Sequence, residues 1–106
     1  MKTYTTTITS ANILEVEAGT TGPCGGDSGH GGRAILRIAD MAGTDIDVTW
    51  DADKKELVIE LGGDCELHTF TCALKFAVEV YEAQTKIKQL EDRLSGLTAD
   101  DPFGEF

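Results

Sequence analysis

No apolar run in the chain comes near the roughly 20 residues that span a bilayer. The longest, such as Leu57-Val58-Ile59 and Phe76-Ala77-Val78, are interrupted almost at once, so a membrane helix is excluded. The opening Met1-Lys2-Thr3-Tyr4-Thr5 lacks the apolar stretch of a secretion signal. Cysteine is scarce too: three residues cannot pair completely within one chain, and the expected compartment is the reducing cytoplasm. Cations are the third deficit, with 9 Lys and Arg against 19 Asp and Glu and a formal net charge of −10. Such a surface repels nucleic-acid phosphates, so no direct binding of a nucleic-acid polymer is expected. With 106 residues there is one domain and one modest core, which excludes enzymes that need two lobes.

From Thr3 to Leu61 the pattern has mostly period two, and after Asp64 it has helical spacing. Thr3 to Thr9 and Ile13 to Ala18 predict a hairpin, with Leu14 and Val16 on one face and Glu15 and Glu17 on the other. Arg33 to Ala39 predicts a third strand, broken at Met41-Ala42-Gly43. Ile46, Val48 and Trp50 alternate with Asp45, Asp47 and Thr49, and Leu57, Ile59 and Leu61 repeat that alternation after a turn at Asp51 to Lys54. The expected architecture is α+β: about five strands in one mostly antiparallel sheet with one wet face. One long C-terminal helix over about 64–97 covers it and extends into a coiled coil. Residues 1–98 form the domain, and 99–106 a mobile acidic tail.

Asp64 is the expected N-cap of that helix. Two apolar stripes run along it. Leu67, Phe70, Leu74, Ala77, Val78 and Tyr81 are expected to close the sheet. Ala73, Phe76, Val80, Ala83, Ile87, Leu90, Leu94 and Leu97 keep a spacing of three then four for more than three heptads, the signature of a coiled coil. The half beyond Gln84 outruns any strand it could cover, so Phe76, Val80, Ala83, Ile87, Leu90, Leu94 and Leu97 are the expected interface of a homo-oligomer, a dimer or higher. In a parallel pair Lys86 faces Glu91 of the other chain, and Glu82 supports Lys86 within one chain.

Seven of the twelve glycines fall in Gly19 to Gly32, which reads GTTGPCGGDSGHGG between two strands. Long connections of this kind are functional or disordered far more often than idle. Glycine permits positive φ and close approach of backbone amides to a ligand, so the segment is a candidate anion nest. Thr20, Thr21, Gly25, Gly26, Ser28, Gly29, His30 and Gly31 would supply donors, and Arg33 the charge. The competing reading is a self-packed Ω-loop, with Arg33 and Arg37 pairing across strands with Glu15, Glu17, Asp45 or Asp47. The segment fails both the P-loop and the dinucleotide fingerprints, which require a helix after the glycines. Gly26-Asp27-Ser28-Gly29 superficially resembles the nucleophile segment of trypsin-like serine proteases, but four residues without two barrels or distant His and Asp partners imply no activity.

Cys65, His68 and Cys72 share one side of the helix, with Cys24 and His30 on the loop, in a spacing that matches no standard zinc finger. They are weak candidates for a metal, and no cofactor is expected. Asp45, Asp47, Asp51 and Asp53 follow the period of an exposed strand face rather than a calcium loop. The expected function is non-enzymatic: an oligomeric protein holding a small anionic, phosphorylated or nucleotide ligand in the glycine loop. A small, acidic oligomer is similar in composition to phage proteins that counter host immunity by sequestering a signalling nucleotide or occupying a host effector. One alternative is an acidic inhibitor whose Asp45, Asp47, Asp51, Asp53, Glu56 and Glu60 mimic nucleic-acid phosphates toward a basic partner. Another is a small zinc-binding protein.

Overall fold

The computed structural model describes residues 1–9, 12–26 and 29–100, with side chains to residue 95. Ser28, the side chain of Leu97 and the tail from residue 101 lie outside the described residues. The fold is α+β, with five antiparallel strands followed by one helix. Strands β1 (Tyr4–Thr9), β2 (Ile13–Thr20) and β3 (Ala34–Ala42) form one sheet in that order. Strands β4 (Ile46–Asp51) and β5 (Glu56–Leu61) form a separate two-stranded ribbon. Helix α1 runs from Asp64 to Asp100. No helix among the described residues is long and apolar enough to cross a membrane.

The single five-stranded sheet expected from the sequence is therefore corrected to three strands plus two. The physical reason lies at the joint. Asp40 accepts hydrogen bonds from the amides of Ala42 and Thr44, which turns the chain off the end of β3 through Gly43 at φ 62°. The ribbon is then tied to the start of the helix instead of to the edge of β3. Gly62 N–H donates to the Asp45 carbonyl at 3.0 Å. Glu66 accepts from Asn12 Nδ2 at 3.2 Å and from Asp45 N–H at 3.3 Å. The expected N-cap is corrected as well. Leu67 N–H donates to the Gly63 carbonyl at 3.0 Å, so Gly63 caps the helix and Asp64 and Glu66 sit in its first turn, where the dipole favours acids. Nor does Gly96 end the helix, which continues to Asp100; one interior glycine costs only about 1 kcal/mol.

The core is small. Leu14, Val16 and Ala18 of β2 and Ala73 of α1 are fully buried, with Ala77 nearly so. The helix lies along the centre strand and presents Thr69, Ala73 and Ala77 to it, because these small side chains let helix and sheet approach closely. This corrects the face expected to close the sheet: Ala77 does so and Phe70 and Tyr81 are half-buried, but Leu67, Leu74 and Val78 remain exposed on one flank. Ile87, Leu90 and Leu94 are exposed on the other flank. The radius of gyration is 18.2 Å, against about 13 Å for a compact domain of this length.

Candidate ligand site

The glycine loop springs from the end of β2 and returns at the start of β3, so its mouth is a continuation of that strand pair. Thr21 N–H donates to the Arg33 carbonyl at 3.0 Å, and Arg33 N–H donates to Thr21 Oγ1 at 2.9 Å. Thr20 Oγ1 donates to the same Arg33 carbonyl at 2.7 Å and accepts from Gly22 N–H at 3.0 Å. Two threonines thus close the neck. Beyond it the backbone folds on itself: a Cβ on Gly26 would meet the His30 carbonyl at 2.5 Å, and one on Gly32 the Gly22 carbonyl at 2.2 Å. These glycines serve close packing within the loop, as the Ω-loop reading anticipates. Gly25 and Gly29 differ: both hold positive φ, at 77° and 85°, and both border open space.

Arg33 turns its guanidinium back over the loop, donating from Nη2 to the Gly29 carbonyl at 3.2 Å. Arg37 does something else. It donates to Glu15 at 2.5 Å and Glu17 at 2.8 Å across the β2–β3 pair, the cross-strand pairing expected of it. The Arg37 hydrogen bond, helped by the Thr3 hydroxyl, holds the Glu17 carboxyl below its ordinary range. Among the described residues no three metal-ligating side chains come together. Cys72 Sγ lies 3.8 Å from His68 Nε2 on the helix, whereas Cys24 turns to the Gly22 carbonyl in the loop.

The loop neck meets residues that the sequence pattern did not single out. Gln84 accepts from Thr20 N–H at 2.7 Å and donates to the Lys2 carbonyl at 2.8 Å, joining helix, β2 and the start of β1 at one point. Gly22 abuts Lys88 and Thr85, where a Cβ would meet Lys88 Cβ at 2.8 Å. A groove of about 330 Å³ opens here, lined by Lys2, Tyr4, Thr20, Thr21, Gln84 and Lys88, with Glu91 at its rim. Beside it, sharing Tyr4, Gln84 and Ile87, is an apolar groove of about 250 Å³ walled by Phe76, Val80 and Ala83. Lys88 pairs with Asp92, whose hydrogen bond holds the ammonium protonated above its ordinary range. The only advance signal of this arrangement was Gln84 itself, a polar residue interrupting the apolar helix face.

Of the residues expected to hold a ligand, Thr20 and Thr21 reach the groove, and Arg33 stands beside them at the neck. Gly25, Gly26, Gly29, His30 and Gly31 lie further out along the loop. Phe76, Val80, Ala83 and Ile87, read as coiled-coil positions, line the apolar groove. No family, curated protein or solved structure matches this chain.

Proposed function

We propose that the chain is a non-enzymatic, oligomeric binding protein for a small phosphorylated ligand of nucleotide type, seated at the neck of the glycine loop. The observation that carries this reading is the junction of two unlike grooves. One presents Lys2, Lys88 and two threonine hydroxyls, an island of cations and donors on a chain of net charge −10. The other presents an apolar wall with Tyr4 and Phe76. A ligand with an anionic end and a flat, weakly polar end matches both, and the combined volume falls in the range of small-molecule sites. Sequestration rather than turnover follows from the residues present: the groove offers charge and hydrogen bonds but no nucleophile held by a base. Helix pairing through Ile87, Leu90 and Leu94 would place a second chain beside the apolar groove and finish its wall.

Equilibrium dialysis against mono-, di- and cyclic nucleotides and sugar phosphates tests this. Binding of at least one compound is expected, weakened tenfold or more by Lys88→Gln and by Arg33→Ala. Absence of binding by every compound overturns the reading.

A second reading has its own observation. Asp47 stands opposite Glu60, and Asp51 opposite Glu56, on one face of the β4–β5 ribbon. Like charges directly opposed destabilise a ribbon, so a basic protein partner that neutralises them would account for their presence. Capture of such a partner that is lost on Asp47→Lys with Glu60→Lys would support it.

A further inference from the structure

The β4–β5 ribbon carries an apolar face that nothing in its own chain covers. Its register pairs Val48 with Ile59 and Trp50 with Leu57 on one side. Trp50 is 61% exposed, Val48 59% and Leu57 56%. The ribbon makes no substantial contact with the helix or the larger sheet. Isolated two-stranded ribbons are marginal in water, so this face requires a cover.

The same chain holds an apolar stripe of matching length. Leu67, Leu74 and Val78 are exposed along one flank of α1. Tyr81 continues that flank and donates its hydroxyl to the Ile35 carbonyl at 2.7 Å, which places the stripe above β3. Leu36, opposite the buried Ala18 and so on the helix-facing side of the sheet, is 46% exposed beneath it. From Leu67 to Tyr81 the helix rises about 21 Å. A six-residue strand extends about 20 Å.

We propose that the apolar face of β4–β5 docks on this β3-side flank of α1 in a second copy of the chain, and that the second copy returns the contact, closing a two-fold dimer. Both halves of the contact are present on every chain, which is the condition for a self-complementary interface. The areas agree. Covering the ribbon face and the helix stripe removes on the order of 800 Å² from each copy, the per-partner area of a standard interface. The free chain exposes 7528 Å², whereas a folded monomer of this mass exposes about 5,800 Å². Attachment at Asn12, Asp45 and Glu66 sends the ribbon outward from the start of its own helix and leaves its own flank uncovered. Lys75, Lys86 and Arg93 border the stripe by helical spacing and supply cations toward the acidic tip of the incoming ribbon. This contact is separate from the Ile87, Leu90 and Leu94 stripe on the opposite flank and stands without the ligand reading.

The test combines light scattering with cross-linking of the full chain. Val48→Asp with Trp50→Asp, and independently Leu74→Glu with Val78→Glu, should each reduce the assembly mass at least twofold with helical circular dichroism retained, whereas Thr49→Asp on the other ribbon face should not. In a background with Cys24, Cys65 and Cys72 replaced by Ser, a mixture of Val48→Cys chains and Leu74→Cys chains should yield a covalent dimer with a short thiol cross-linker. Full wild-type mass in both double variants overturns the proposal. So does cross-linking of a Val48→Cys, Leu74→Cys chain only within itself, at monomer mass, since the ribbon would then cover its own helix.

Discussion

The two β-sheets are made from equally regular alternation and meet opposite fates. In β2 the inward residues Leu14, Val16 and Ala18 are fully buried, because neighbours pair on both edges and α1 lies across one face. In β4–β5 the corresponding residues Val48, Trp50 and Leu57 stay in water. Alternation therefore specifies which face of a strand seeks cover but says nothing about what provides it. The β1–β2–β3 sheet and its helix carry their own cover, and the ribbon borrows one.

Truncation sharpens this contrast most strongly. Leu14→Ala should cost about 2–5 kcal/mol, as a cavity in a closed core does, and by the same amount at every protein concentration. Leu57→Ala should leave the diluted chain nearly unchanged and destabilise it only at concentrations where copies associate, since the lost contact belongs to the assembly. Chemical denaturation of both variants over a hundredfold concentration range distinguishes the two regions. Equal, concentration-independent losses would erase the distinction.

Gln84→Ala should act within the first region. It removes the bridge between Thr20 and Lys2, and loss of those two part-buried hydrogen bonds should cost about 1–2 kcal/mol. The same variant should weaken any phosphorylated ligand, because the loop neck and the start of β1 lose their common anchor.

A smaller effect is expected from acid. Glu17 has its carboxyl held below the ordinary range by Arg37, so its contribution is present above the unfolded value and is lost as pH falls through the folded one. Acid titration of wild type should thus show a stability decrement, starting from the ordinary carboxylate range and continuing below it, that Arg37→Met lacks. The smallest effect is expected at Thr69, fully buried on the helix face with its hydroxyl unpaired among the described residues. Thr69→Val should be neutral or stabilising by up to about 1 kcal/mol in thermal melts.

Much of this architecture was legible in local pattern. Period two in Ile46 to Trp50 and Leu57 to Leu61 revealed a ribbon and both of its faces, and the change of period after Asp64 revealed the helix. Membership of one sheet or two was not legible, because edge pairing is non-local and here depends on three side chains, Asn12, Asp40 and Glu66, that carry no periodic signal. The choice among helix faces turned on size: Ala73 and Ala77 won the sheet over the larger Leu74 and Val78 because close approach favours small residues. At the candidate site the glycine loop announced itself by composition. Lys2, Gln84 and Lys88 did not, since each comes from a different stretch of chain and only the fold brings them to Thr20 and Gly22.

Hydrogen exchange followed by residue at several protein concentrations tests the central contrast most directly. The account predicts amides of β2 protected to the same degree throughout, and amides of β4 and β5 that gain protection of tenfold or more as concentration rises. Protection of the ribbon equal to that of β2 in a dilute monomer, or no gain at any concentration, would contradict it.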